Sequence, residues 1–359
     1  MSRYSFYVFA LVVLGGLYGC SGSDPVGARP NILYIVADDL GYTDTGPFGS
    51  EIPTPNLDEL AFAGVRLTNF HTDANCQKTR VMLMASAGSS AALEIIGNPM
   101  SGRRGNRLSR EWVILPELMR NAGYTTYMAG KWDLGDGDGY TPATRGFDRS
   151  FVAVDASASH FAEKFWDDPL PYEEDGLPLG VDELPEDFYA TEYYTDKMLE
   201  YLQSTEDGKP WFAFVPYTVP HWPLQLPDDW IDRYAGRYDT GHDVLREARF
   251  AKAQELGVIP EGGRLESYKP TAAPWESLTP DEQRRRARAQ EIYAGMVEYL
   301  DVSVGRLIDY LEESGELDNT IVMFSSDHGG SSSSAGLDES RVDPRSVANR
   351  DNRLENFGR

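Results

Sequence analysis

The stretch Asn31-Ile32-Leu33-Tyr34-Ile35-Val36-Ala37 contains no charged side chain and is followed directly by Asp38-Asp39. Short apolar runs rich in branched residues are typical of strands buried on both faces of a parallel sheet. Ligand sites in open α/β sheets lie at the carboxyl ends of such strands. The stretch therefore predicts a central strand that delivers two carboxylates to a functional edge of the sheet.

Further apolar stretches alternate with helical patterns along the chain. Strands are predicted at Val65–Phe70, Tyr124–Ala129, Trp211–Tyr217 and, as a last buried strand, Ile321–Phe324. Thr54-Pro55 predicts the start of a helix that Gly64 ends. Apolar residues at helical spacing predict further helices at Leu115–Ala122 and Ile292–Leu311.

This alternation predicts an α/β fold with a mainly parallel sheet sandwiched by helices. Residues 85–110 are rich in Ala, Ser, Gly and Arg, and we expect a surface excursion there. Residues 228–283 are polar with scattered prolines, which indicates an insertion.

Polar side chains recur where the predicted strands end. They are Asp38, Asp39, Lys131, His221, Asp327 and His328. Parallel strands end at a common edge, so these groups can converge on one rim of the sheet. Aspartates are hard oxygen ligands suited to calcium or magnesium, whereas the imidazole of His328 is a softer donor. A helix cap or a solvated loop is the alternative for Asp38-Asp39, and an ordinary surface lysine is the alternative for Lys131.

Cys76 is the only cysteine outside the first twenty residues. Arg80 follows one helical turn later, and the apolar run after it could start a helix. A helix N-terminus with a guanidinium makes a site for an anion or a thiolate. The alternative is a buried small apolar group, because free cysteines are among the most buried residues.

The net charge limits the classes of partner that the chain can bind, and the N-terminal sequence indicates its location. The formal charge of −24 without a basic stretch argues against nucleic acid as a partner. Arg3, the apolar stretch Tyr4–Leu17 and the lipobox-like end at Cys20 predict a signal peptide over residues 1–20. We therefore expect an exported protein of the periplasm or outer membrane of a Gram-negative bacterium, held at the membrane only through a lipid on Cys20. An uncleaved anchor is the alternative, but a spanning helix needs about 20 apolar residues.

The sequence from about residue 30 to the end resembles the sulfatase family of the alkaline phosphatase superfamily, and most closely its bacterial arylsulfatase branch. Cys76 and Arg80 match the family motif Cys-x-Pro-x-Arg, with Lys78 at the proline position. The other matches are Asp38, Asp39, Thr54–Asp58, Lys131, Thr141–Phe147, His221, Asp327, His328 and Asp351–Asn356.

The resemblance implies an enzyme that cleaves sulfate esters of small molecules or glycans. It implies that a formylglycine-generating maturation enzyme oxidises Cys76 to formylglycine, whose hydrate attacks sulfur with help from bound Ca2+ or Mg2+. The implied cation ligands are Asp38, Asp39, Asp327, His328 and the modified Cys76. The implied catalytic residues are Cys76, Arg80 to steady the modified side chain, Lys131 to bind sulfate, His221 as general acid, and Asp133 as a base.

Several residues depart from the family pattern. Asp133 replaces a histidine, and Ala85-Ser86 replaces Thr-Gly. A carboxylate roughly 4 Å from an anionic substrate adds about 4 kcal/mol of repulsion at an effective dielectric of about 20. Two alternatives therefore stay open: a sulfatase-fold protein that binds metal and sulfated ligands without turnover, and a phosphoesterase of the same superfamily. The resemblance also indicates that residues 30–359 form an N-terminal catalytic domain whose C-terminal part is missing.

Overall fold

The computed structural model describes residues 29–97, 104–154, 159–161, 172–265 and 273–331. In chain order their helices and strands are β1 Asn31–Ala37, α1 Pro55–Ala63, α2 Cys76–Ala85, α3 Ser89–Ala92, β2 Leu93–Gly97, β3 Arg104–Leu108, α4 Leu115–Asn121, β4 Thr125–Lys131, β5 Arg149–Ala153, β6 Tyr172–Glu174, β7 Leu177–Leu179, α5 Ala190–Gln203, β8 Trp211–Pro216, α6 His242–Glu255, α7 Pro280–Glu313 and β9 Thr320–Ser326. None of these helices has the length and apolar character needed to cross a bilayer. The signal predicted for residues 1–20 and the Asp351–Asn356 motif lie outside the described residues.

The strands form a seven-stranded sheet in the order β7-β6-β5-β4-β8-β1-β9 and a separate β2-β3 pair. The strands from β5 to β9 in this order run parallel to one another. β6 and β7 extend one side as antiparallel strands. The predicted α/β fold with a mainly parallel sheet is therefore confirmed.

Successive side chains of β1 point to opposite faces of the sheet, as in any β-strand. Leu33 and Ile35 join the apolar cluster of α5 and α7 on one face. Tyr34 and Val36 join the cluster of α2 and α4 on the other face. Helices thus cover both faces, and the apolar run at residues 31–37 is explained by burial on both sides.

Two strand predictions need correction. Val65–Phe70 forms no strand, and Val65 and Leu67 are 82% and 61% exposed. No described strand lies beside this segment to accept its backbone hydrogen bonds, and an unpaired strand is unstable alone. Ile321–Phe324 does lie in β9, but β9 is the edge strand of the described sheet, so Ile321 is half exposed instead of buried.

Two segments predicted as peripheral are built into the fold. Within residues 85–110, α3 leads into the antiparallel β2-β3 pair, and the Leu108 side chain is fully buried. Within residues 228–283, Tyr234, Tyr238 and Trp275 pack into the same core as α5 and α7. Composition did not reveal this packing, because most residues of both segments are polar. Only a few large side chains anchor each segment in the core.

The helix ends follow the capping signals. Pro55 starts α1 after Thr54, and Gly64 ends it as predicted. The last helix is longer than its apolar stripe indicated, because Thr279 and Glu282 form a capping box that starts α7 at Pro280.

Gly130 lets β4 approach β8 closely just before Lys131. Its φ is +141°, and a Cβ there would lie 2.1 Å from the Pro216 carbonyl oxygen. A side chain at this position would push the ends of the two strands apart. The glycine therefore helps to set where Lys131 enters the sheet edge.

Candidate active site

The carboxyl ends of β1 and β9 bring three aspartates together. The Asp327 backbone N–H donates to the Ala37 carbonyl at 3.0 Å and extends the strand pairing by one residue. The Asp39 N–H donates to Asp327 Oδ1 at 3.1 Å. Asp38 and Asp327 are fully buried, and Asp39 is 7% exposed. Strand pairing alone therefore forces three carboxylates into a small, dry volume.

Lys131 and Arg80 supply positive charge to these carboxylates. Lys131 is fully buried at the end of β4 and donates from Nζ to Asp38 Oδ2 at 2.5 Å. Arg80 on α2 places Nη2 3.7 Å from both Asp38 Oδ2 and Asp327 Oδ2. Burial raises the pKa of Asp38, but the positive charges of Lys131 and His221 outweigh burial and hold that pKa far below its ordinary value. Asp38 is therefore ionised at every physiological pH.

Cys76 is the first residue of α2, so the predicted helix is present but begins before the apolar run that follows Arg80. Asn75 caps the helix, and its side chain accepts a hydrogen bond from a backbone N–H of the first turn. Cys76 Sγ lies 3.2 Å from His328 Nε2. Burial and the Asp38 carboxylate raise the pKa of the thiol well above its ordinary value. Of the two occupants considered for this helix start, an anion or a thiolate, the thiolate is disfavoured because burial and negative charge outweigh the guanidinium.

His221 lies in the loop after β8 between two cis prolines, Pro220 and Pro223. Its Nε2 is 3.7 Å from Asp39 Oδ2. The side chain is 20% exposed, so it stands at the rim of the carboxylate cluster and does not pack in the core. The structure therefore brings His221 to the same edge as the aspartates.

His160 supports this loop, and the sequence analysis missed it. The side chain is buried, donates from Nε2 to the His221 carbonyl at 2.9 Å, and lies 3.3 Å from the Thr218 hydroxyl through Nδ1. Burial lowers its pKa to about 4, so the ring is neutral at pH 7. His160 is a positioning residue for the His221 loop. Nothing but its residue type marked it, because no recognisable motif surrounds it.

Asp133 lies just beyond the end of β4, near the cations Lys131 and Arg80. A continued strand would point the side chains of Lys131 and Asp133 the same way, but β4 ends at Lys131 and Asp133 has φ +55°. The side chain is nevertheless buried. Burial lowers the pKa of Lys131 and of Arg80, but nearby carboxylates outweigh burial, so both pKa values are raised. Asp38 contributes most to this rise, and Asp133 contributes less. The Asp133 carboxylate therefore acts electrostatically on both cations.

The donor atoms at this edge fit a divalent cation. Two overlapping sets have all their donor atoms within 4.8 Å of one another: Asp38, Cys76, Asp327 and His328, and Asp38, Asp39, Cys76 and His221. Asp38 Oδ1 and Asp327 Oδ2 are buried and lack a hydrogen-bond partner within the described structure. Such orphaned carboxylate oxygens are the ligands that Ca2+ and Mg2+ prefer. Asp38, Asp327 and His328 from the first set would hold the ion, and Asp39 shares the second set with Asp38.

Comparison with known proteins identifies the family. The sequence profile of the Sulfatase family matches residues 30–350. The chain belongs to the sulfatase family. It is 40% identical to an uncharacterized sulfatase of Schizosaccharomyces pombe, over 92% of this chain and 63% of that protein. It is 33% identical to an arylsulfatase of Klebsiella aerogenes, over 98% of this chain and 75% of that enzyme.

Solved structures agree with this family at the level of the fold. The structure of Ps i-CgsB in complex with a neocarrahexaose superposes with a TM-score of 0.62 at 24% identity. The match covers 84% of this chain and 59% of the other. The chain therefore spans about three fifths of the length of that solved structure and 63% of the fission-yeast relative.

Cation binding predicts a ligand-dependent gain in stability. An ion that binds only the folded chain stabilises it by about 2.7 kcal/mol when present at about 100 times its Kd. We expect Ca2+ at that concentration to raise the thermal unfolding midpoint by about 3–4 °C, as measured by differential scanning fluorimetry against EDTA, with Mg2+ tested in parallel. Asp327→Asn should abolish the shift, whereas Asp318→Asn, an exposed residue just before β9, should retain it. An undiminished shift in Asp327→Asn would place the bound ion elsewhere.

Proposed function

We propose that this chain hydrolyses sulfate esters, with a formylglycine made from Cys76 and a bound Ca2+ or Mg2+. The observation that carries the proposal is the convergence of Cys76, Arg80, Lys131 and His221 on the buried carboxylates, although they come from α2, β4 and the loop after β8. The 33% identity to an arylsulfatase along nearly the whole chain supports the same reaction.

Each residue of this chain has a distinct task in the proposed reaction. Formylglycine supplies an oxygen nucleophile that the thiol does not provide, and the cation supplies Lewis acidity. Lys131 Nζ and Arg80 Nη2 bring positive charge to the Cys76 side of the carboxylates and counter the charge on the sulfuryl oxygens. His221, at the exposed rim, protonates the departing alcohol.

Asp133 favours one competing function: a sulfatase-fold protein that retains metal and sulfated ligand without turnover. Its buried carboxylate offsets part of the positive charge of Lys131 and Arg80. A weaker positive field binds the developing negative charge of a transition state less well. Lys78, at the family's proline position, bears on the same question because it changes the motif that the maturation enzyme meets.

Export remains part of the proposal and rests on sequence alone. Arg3, the apolar stretch Tyr4–Leu17 and Cys20 support a signal with a lipid anchor, hence a periplasmic or outer-membrane location. If Cys20 carries the lipid, Cys76 has no cysteine left for a disulfide and stays available to a maturation enzyme. The sulfate ester, of a small molecule or a glycan, would then be met outside the cytoplasm.

Two measurements together test the proposed function: the oxidation of Cys76 to formylglycine and the hydrolysis of a sulfate ester. After coexpression with a formylglycine-generating enzyme, the peptide that contains Cys76 should lose about 18 Da, because the thiol is replaced by an aldehyde. The purified chain should release 4-nitrophenol from its sulfate faster than from its phosphate, and Cys76→Ala should remove this activity. Conversion without any turnover would support the binding protein, and faster phosphate cleavage would support the phosphoesterase.

Replacing Asp133 tests the electrostatic argument. Asp133→His removes a negative charge and supplies the family's base, so we expect at least a tenfold rise in aryl sulfate hydrolysis, about 1.4 kcal/mol of barrier. Histidine tolerates the left-handed backbone at this position better than most residues. Asp133→Asn, which removes the charge without adding a base, should give a smaller gain at matched formylglycine content. A loss of activity in both variants would show that Asp133 itself serves the reaction.

A further inference from the structure

Asp39 has an unusual backbone conformation at the carboxylate edge. Its φ is +63°, in the left-handed region that is uncommon for a residue other than glycine. Its carboxylate lies between the two histidines of the edge, with Oδ1 2.8 Å from His328 Nε2 and Oδ2 3.7 Å from His221 Nε2. A residue in a sparsely populated conformation keeps it only where the surrounding contacts fix it. The contacts that fix the Asp39 backbone therefore also set where its carboxylate lies.

Tyr293 on α7 contacts the loop at residues 39–44, here called the Asp39 loop. Its hydroxyl donates to Asp44 Oδ2 at 2.6 Å and accepts from the Gly41 N–H at 3.2 Å. The same hydroxyl lies 3.3 Å from the Asp39 carbonyl oxygen. The Asp39 N–H, on the other side of the residue, donates to Asp327 Oδ1. Asp39 is thus held at its N–H by β9 and at its carbonyl by a single oxygen atom of α7.

Asp44 closes the Asp39 loop on itself. Its Oδ2 accepts from the Gly41 N–H at 2.8 Å, and its own N–H donates to the Gly41 carbonyl at 3.1 Å. A Cβ at position 41 would lie 2.1 Å from Asp44 Oδ2, so a side chain there would displace this carboxylate. The position of the Asp44 carboxylate therefore determines the path of the backbone two residues after Asp39.

Arg249 holds the Asp44 carboxylate from α6. Its Nη1 donates to Asp44 Oδ1, while its Nε and Nη2 donate to the two carboxylate oxygens of Glu51 at 2.7 and 3.0 Å. The side chains of Arg249 and Asp44 are only 11% and 12% exposed. A planar guanidinium that bridges two carboxylates fixes their geometry as well as their charge. The segment that composition marked as an insertion thus supplies a buried charge to the Asp39 loop.

We propose that Tyr293 and Arg249 are positioning residues, which through Asp44 and the loop backbone orient the Asp39 carboxylate towards the cation site. The inference rests on the proposed function, in which a divalent cation binds at this edge. It adds two residues that belong to none of the motifs of the sequence analysis. Neither side chain contacts the Asp39 carboxylate, so their loss changes cation binding only through the conformation of the loop.

A pair of tyrosine variants tests this role. Tyr293→Phe keeps the ring and removes all contacts of the hydroxyl. We expect the Kd of Ca2+ for the full chain to rise at least fivefold, about 1 kcal/mol, as measured by isothermal titration calorimetry. Tyr299→Phe is the matched control, because Tyr299 lies on the same helix and its hydroxyl donates to Glu192 Oε2 at 2.8 Å, outside the Asp39 loop. This control should leave the Kd within twofold, and equal increases in both variants would overturn the proposal.

Arg249 provides a second arm with a conservative rescue. Arg249→Met should raise the Kd of Ca2+ at least fivefold, and Arg249→Lys, which keeps the charge but not the fork, should give an intermediate value. In the formylglycine form, the Ca2+ concentration for half-maximal aryl sulfate hydrolysis should rise in the same order. Values within twofold of the parent chain in both Tyr293→Phe and Arg249→Met would overturn the proposal. Weakened Ca2+ binding in these variants of a chain without any turnover would support the positioning role and contradict the proposed hydrolysis, so the two failures are distinguishable.

Discussion

A carboxylate without access to water, that of Asp38, is the constraint on which the active-site edge depends. Taking an ion out of water costs several kcal/mol unless opposite charge lies close by. Lys131 meets this need from β4, although β8 lies between β4 and β1 in the sheet. The long lysine side chain thus reaches across the end of β8 and ties the two strands together at their functional ends. The close approach of β4 to β8 at Gly130 serves this reach.

The same constraint explains why the edge suits a cation and an anionic substrate together. Asp38, Asp39 and Asp327 gather three carboxylates beside the basic side chains of Lys131 and Arg80. Two of their oxygens remain unpaired within the described residues. A divalent ion would complete this balance and leave the two basic side chains able to attract sulfate. The net charge of −24 does not oppose this, because charges beyond about 8 Å are largely screened at physiological salt.

The sequence predicted the sheet and the edge because both depend on local patterns. The apolar stretch at residues 31–37 and the aspartates after it reported burial and position directly. Local sequence patterns did not predict the structure correctly where a segment depends on contacts with residues far away in the sequence. Val65–Phe70 has strand composition but no described strand beside it, and His160 acts only through the backbone of His221.

A cavity lined by Trp222, Trp275 and Tyr293 was not predictable from the sequence for a related reason. Trp222, Trp275 and Tyr293 come from segments that read as a loop, an insertion and a core helix, and only folding places their rings together. The geometry of Asp133 also escaped prediction, because a single residue in the left-handed region ends the extended pattern that β4 sets.

Asp38 and Lys131 stabilise one another as a buried pair. A double-mutant cycle with Asp38→Asn, Lys131→Met and both together tests it most directly, with the free energy of unfolding measured by urea in EDTA. Each single variant should cost about 3–5 kcal/mol, because it leaves its partner charge or polar group buried and unpaired. The double variant should cost at least about 2 kcal/mol less than the sum. Additive costs, within about 0.5 kcal/mol, would show that the two side chains do not stabilise one another.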